Sequence, residues 1–326
     1  MPKWVLCKCG LTLQQSSTVL LRALVRARKT SPNICSYYLS LAKAKQRFRA
    51  EGISNATPAH SPVHCTPFFM TLSEKLVTLA RRNCIDNILY WTNYYETTRG
   101  KNLTYDFNIF PRYQTAEAIL KDIETLVGKD FQLLDDCYKE IKSFGLNSQS
   151  HFTTGKLNDL QKRAIDDARQ KFIAFIDKIN NDQLDKVEPL PFRRRLLENE
   201  ANLVRQELQR HWNFDGGYWE PLTSCSPKPF AFFDKENLTE NDFQKIKDIV
   251  LNQPDNRIYE ISEQRYDYEI DKSEIEPDCY EIIYTDVNFE WIIYGSHEGT
   301  IAFGGEWLLN ELDKQLSDKI ELKNKW

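Results

Sequence analysis

The spacing of apolar residues changes character near Trp212. From Met70 to about Asn213 they recur every three or four positions, which places them on one face of a helix. Leu76, Ala80, Cys84, Ile88, Trp91 and Tyr95 predict a first helix, with Ser73 as its cap. Asn102–Phe110 reads as irregular or extended and is ended by Pro111. Thr115 opens a second helical run through Ala116, Ile119, Ile123 and Leu126, stopped by Gly128. Asp130 is placed to cap a third over Phe131–Phe144, stopped by Gly145. A long helix is predicted from Lys156 to Asn180 on the stripe Leu157, Ala164, Phe172 and Ile176. After a polar break at 181–191, a last helix carries Leu197, Ala201, Val204, Leu208 and Trp212. Such stripes predict a helical bundle that buries its own faces.

Beyond Trp212 the period shortens. Trp212–Leu222 is an aromatic stretch around Gly216 and Gly217, and Ser224–Pro229 continues as loop. Thr239 and Asp242 have the spacing of a capping box for a helix over Glu240–Asn252. Arg257–Glu263, Tyr266–Ile270 and Cys279–Asp286 then alternate apolar and polar residues, as half-buried strands do. Asn288–Tyr294 and Thr300–Phe303 read as a hairpin, and a final helix follows over Glu306–Asp318. The fold class expected is α+β: an N-terminal helical bundle, then a mainly antiparallel sheet packed with two helices. Four or five short strands covered on one face are expected. The implied domains are a basic, disordered leader at 1–69, a helical domain at 70–213 and an α+β domain at 214–326.

Charge separates the leader from the rest. Residues 1–69 hold ten Lys or Arg and one acid, Glu51, whereas the remainder has 33 basic and 46 acidic residues, a net charge of −13. Three origins fit the leader: upstream sequence ahead of a start at Met70, an organellar transit peptide, or a basic nucleic-acid-binding arm, expected in that order. The acidic remainder repels phosphate backbones, so nucleic-acid binding by 70–326 is disfavoured. No apolar run approaches the roughly 20 residues of a spanning helix, so no membrane partner is expected. Four of the eight cysteines lie in the leader, and Cys84, Cys137, Cys225 and Cys279 are scattered. Reduced thiols and a cytoplasmic setting follow, or an organelle matrix if the leader is a transit peptide. Cys7, Cys9, His60, His64 and Cys65 lack the paired spacing of a zinc site.

The candidates for chemistry fall in or beside the sheet domain. His297 and Glu298 sit at the tip of the Trp291–Gly305 hairpin, with His211, Asp215, Cys225 and Glu306 as possible companions. Ile301 stands where His-Glu-x-x-His would need its second histidine. Adjacent strand residues point to opposite faces, so the simpler role for His297 and Glu298 is to hydrogen-bond backbone groups in a tight turn. Neither a cofactor nor a metal ion is expected. Trp212, Tyr218, Trp219, Trp291 and Trp307 would form either core or an aromatic binding face. Arg193-Arg-Arg195 would meet an anion or, more simply, remain solvated. The expected function is a non-enzymatic protein-interaction module, of which immunity- or antitoxin-like binding of a basic partner is one form. The alternative is a hydrolase or nuclease that uses His297 with nearby carboxylates.

Overall fold

The computed structural model describes residues 70–98, 105–222, 226–263 and 266–325. The leader, the start of the 102–110 stretch and Cys225 lie outside the described residues. Among those described, no helix is long and apolar enough to cross a membrane.

Five described helices build the first half: α1 (Leu72–Thr98), α2 (Phe110–Ile123), α3 (Leu134–Asn147), α4 (Asp159–Asp177) and the short α5 (Asn181–Asp185). Their inward residues, among them Leu76, Ala80, Ile88, Ile119, Ile141, Phe172 and Ile176, form one buried cluster. The stripes expected from sequence therefore pack on one another, while the boundaries differ for local reasons. Thr71, not Ser73, caps α1 in a reciprocal pair with Glu74, and Ser73 is buried. Tyr105–Ile109 is not extended but forms a π-helical turn that leads into α2. Pro111 lies in the first turn of α2, where its missing N–H costs nothing. Gly145 does not stop α3 but sits inside it. A Cβ there would come within 2.7 Å of Phe172 and Ile173, so glycine is what lets α3 and α4 approach.

The second half holds a single antiparallel sheet, with seven strands among the described residues, ordered β1-β4-β3-β5-β6-β7-β2. The strands are β1 (Arg193–Arg195), β2 (Phe230–Asp234), β3 (Arg257–Ser262), β4 (Tyr268–Asp271), β5 (Ile282–Asp286), β6 (Ile292–Gly295) and β7 (Thr300–Gly304). Three described helices accompany them: α6 (Glu198–Trp212), α7 (Glu240–Leu251) and α8 (Glu306–Gln315). The capping box of Thr239 and Asp242 opens α7 as expected. One sheet face packs on α7 and α8 through Ile246, Val250, Ile293, Phe303, Leu308 and Leu312. The other packs on α6 and the following aromatic loop through Leu208, Trp212, Phe214, Trp219, Ile283 and Ile292.

The sheet is thus covered on both faces, not one, and has seven strands among the described residues, not four or five. The two strands outside the expected set are β1, which is all arginine, and β2, which is nearly all apolar. The apolar stripe of α6 joins the core of the sheet and not that of the bundle.

The arginine triplet is paired within the fold and not left to solvent. As β1 it pairs with β4 in the register Arg193↔Ile270, Arg194↔Glu269 and Arg195↔Tyr268. Side chains alternate along a strand, so Arg194 points away from its neighbours. It reaches Glu200 of α6 at 2.9 Å and Glu269 at 3.0 Å. Arg195 instead meets Asp122 of α2 at 2.8 Å. Arg193 grips Glu260 through both terminal nitrogens, at 2.5 and 3.1 Å, and lies over the Tyr268 ring. Nearby, buried Arg81 of α1 meets buried Glu124 at 3.4 Å and donates to the Pro191 carbonyl at 3.2 Å. Burial raises the Glu124 carboxyl above its ordinary range, against the pull of Arg81 and Arg193. Burial works against the Arg193 charge, but Glu260, Glu124 and the Tyr268 phenol together more than offset it and raise its pKa.

Glu274 borders this network, and its Oε2 accepts no hydrogen bond among the described residues. Burial lifts its pKa from 4.5 to about 7, with Arg193, Lys247 and Arg81 partly offsetting the rise. An acid whose folded pKa is raised destabilises the fold once it ionises. The cost is absent below the unfolded value of 4.5, grows as pH rises to about 7, and is constant above it. Glu274→Gln is therefore expected to stabilise the protein at pH 8 by on the order of 2 kcal/mol and to be neutral at pH 4. Chemical denaturation at the two pH values checks this, and an equal effect at both would contradict it.

Candidate functional site

The hairpin predicted at Trp291–Gly305 forms as β6 and β7, with His297 and Glu298 in its turn. Other groups lock that turn. The Ser296 hydroxyl accepts from the Glu298 N–H at 3.0 Å, and the Gly299 carbonyl accepts from the Lys235 N–H at 2.8 Å. His297 is left exposed and turns towards Glu281, with Nδ1 3.9 Å from a carboxylate oxygen.

Strand register brings Glu281 a second acid. Ser262 pairs with Ile282, which pairs with Gly295. One residue further on, the Glu263 N–H donates to the Glu281 carbonyl at 3.1 Å. Glu263, Glu281 and His297 each place one donor atom within 4.8 Å of the others. The Tyr294 hydroxyl donates to Glu263. Burial is the main cause raising the Glu263 carboxyl; the Tyr294 bond opposes it, and the charges of Glu281 and Asp215 add to it. Burial and Glu263 together raise the Tyr294 phenol, which stays protonated. Neither Glu263 nor Glu281 is singled out by the sequence, because only the pairing of β3 with β5 makes them neighbours.

The remaining candidates do not join His297. His211 lies beside Phe289, which precedes β6, whereas His297 follows that strand; the two occupy opposite ends of it. Burial and then Lys228 and Arg210 lower the His211 pKa, so its imidazole is held neutral. Asp215 accepts from the N–H groups of Gly217 at 2.9 Å and Tyr218 at 3.0 Å, which shapes the aromatic loop. Its charge is nevertheless close enough to act on Glu263. Glu306 is exposed in the first turn of α8. Cys225 lies outside the described residues.

The tryptophans go to the cores. Trp212, Trp219 and Trp291 are buried on the two faces of the sheet, Trp307 packs half-buried beside Trp291, and Tyr218 is exposed. The Trp219 Nε1–H donates to the Trp212 carbonyl at 3.0 Å. A Cβ at Gly304 would meet the Trp212 ring at 2.5 Å, so the indole lies directly on β7. The sheet needs cover on this face, and α6 with its loop supplies it.

Exposed aromatic surface lies instead on α1. Tyr90 and Tyr94 are exposed, their rings stacked 6.1 Å apart, and Trp91 meets both edge-on. Tyr90 and Trp91 border an open groove of about 440 Å³ lined also by Asn83, Asn87, Arg112 and Lys171. Arg112 lies over the Trp91 ring, and both Arg112 and Lys171 pair with Asp167. The helical stripe predicts Trp91 as buried, but the buried residues of α1 end at Ile88.

No protein-family model matches the chain, and neither a curated protein nor a solved structure matches it.

The core position of Trp212 makes Trp212→Ala costly, at about 3–5 kcal/mol of unfolding free energy. Tyr218→Ala is expected to change stability by less than about 0.5 kcal/mol. Denaturant unfolding of the two variants separates these outcomes. Equal effects would contradict the assignment of Trp212 to the core.

Proposed function

We propose that the chain is a non-enzymatic protein-interaction module that docks a basic protein partner, in the manner of an immunity or antitoxin protein. The observation that carries this reading is the cluster of exposed Tyr90 and Tyr94 around half-buried Trp91, beside its groove. Tyrosine, tryptophan and arginine dominate binding energy at protein interfaces because they bury large rigid surfaces and still hydrogen-bond. Arg112, stacked on Trp91 and fixed by Asp167, adds the third of these types. The basic character of the partner rests on charge: residues 70–326 carry a net charge of −13. A field of that sign steers a cationic protein towards the surface over distances longer than any contact.

A hydrolase or nuclease centred on His297 draws support from the approach of Glu281 and Glu263 to the imidazole. The hydroxyl hydrogen-bonded to Glu263 belongs to Tyr294, whose pKa is raised, the opposite of what activates a nucleophile. The binding reading is therefore preferred.

Co-purification from the native host with the full chain as bait, followed by affinity measurements on the isolated partner, tests it. Tyr90→Ala combined with Tyr94→Ala should weaken binding at least about tenfold without unfolding the protein. The association rate should fall as salt is raised. A partner that binds the double variant as tightly as the parent, or one of acidic character, would contradict the proposal.

A further inference from the structure

We infer that Glu263, Glu281 and His297 form a binding site for a divalent first-row transition ion, with Zn²⁺ the best match. The inference does not rest on the interaction reading, because these residues lie at the end of the sheet and take no part in lining the α1 groove.

Three separate segments deliver the donors. Glu263 follows β3, Glu281 precedes β5 and His297 occupies the β6–β7 turn. The sheet fixes the two carboxylates as cross-strand neighbours, and the turn lays the imidazole beside them. Zinc binds imidazole nitrogen and carboxylate oxygen at about 2.0–2.2 Å in tetrahedral geometry, so two ligands of one ion stand about 3.3–3.6 Å apart. The 3.9 Å between His297 Nδ1 and Glu281 is a few tenths of an ångström above that spacing. All three donor atoms lie within 4.8 Å of one another, so side-chain adjustments on the order of 1 Å bring them around one ion.

The electrostatics agree with the geometry. Two carboxylates and a neutral imidazole match the charge of a divalent ion. The proximity of Asp215 adds to the negative potential at Glu263. The Tyr294 hydroxyl holds Glu263 in orientation from behind, as groups hydrogen-bonded to metal ligands commonly do. An imidazole nitrogen among the donors favours a transition ion over Mg²⁺ or Ca²⁺, which prefer six or more oxygens. Three protein donors leave a coordination position for water or for a group on another molecule.

The test uses the full chain, stripped with a chelator and titrated with Zn²⁺ by calorimetry and with Co²⁺ by visible absorption. The leader contains cysteines and histidines of its own, so the readout is the difference between parent and variants. His297→Ala, Glu281→Gln and Glu263→Gln should each weaken one Zn²⁺ equivalent per chain at least about tenfold. The stripped variants should unfold at the parent's midpoint, while Zn²⁺ raises that midpoint only in the parent. Identical stoichiometry and affinity in parent and variants would overturn the site. So would a loss confined to His297→Ala, which marks a lone surface histidine, or tighter binding of Mg²⁺ than of Zn²⁺.

Discussion

The paired contact of Arg193 with Glu260 is the constraint on which the architecture turns. Arg193 sits on the first strand the chain forms after leaving the helices, and Glu260 sits on a central strand of the sheet. The same short strand sends Arg195 back to Asp122 on α2 and Arg194 forward to Glu200 on α6. Three consecutive arginines thereby fasten bundle, sheet and covering helix to one another. Arg81 and Glu124 continue the network into the bundle, with both side chains almost wholly buried. Charges removed from water are tolerable only as paired groups, so each of these side chains restricts where the others can be. That restriction holds the two halves of the chain in one arrangement.

The helical half was largely legible because its information is local. A stripe at the helical period needs no knowledge of distant residues, and the stripes through Leu76–Ile88, Ala116–Leu126 and Phe172–Ile176 all join the buried cluster. Caps were legible where the pair was unambiguous, as at Thr239 and Asp242, and misread where two hydroxyls competed, as at Thr71 and Ser73. Gly145 misled because a helix-stopping glycine and a close-packing glycine have the same letter. Only the position of Phe172 on another helix separates them.

What was not legible depends on partners far along the chain. A triplet of arginines looks solvated until Glu260, Glu269 and Asp122 are brought to it. The tryptophans fit either a core or a binding face until the sheet they cover is seen to need covering on both sides. Glu263 and Glu281 look like ordinary strand-end acids until β3 pairs with β5 beside the His297 turn. In the opposite sense, Trp91 fits the end of an apolar stripe, yet it lies beyond the buried part of α1, where it borders an open groove with Tyr90. The same framework thus presents an aromatic groove on its helices and a cluster of metal-ligand types at the end of its sheet.

A double-mutant cycle on Arg193→Met and Glu260→Leu, read by denaturant unfolding, tests this account most directly. Each single variant strands one charge in a partly buried setting and is expected to be strongly destabilising, by about 3 kcal/mol. The double variant, with both charges gone, should recover much of that loss and give a coupling energy of about 2 kcal/mol or more. Additive effects within about 0.5 kcal/mol would show that the pair does not act as a unit and would contradict its place at the root of the architecture.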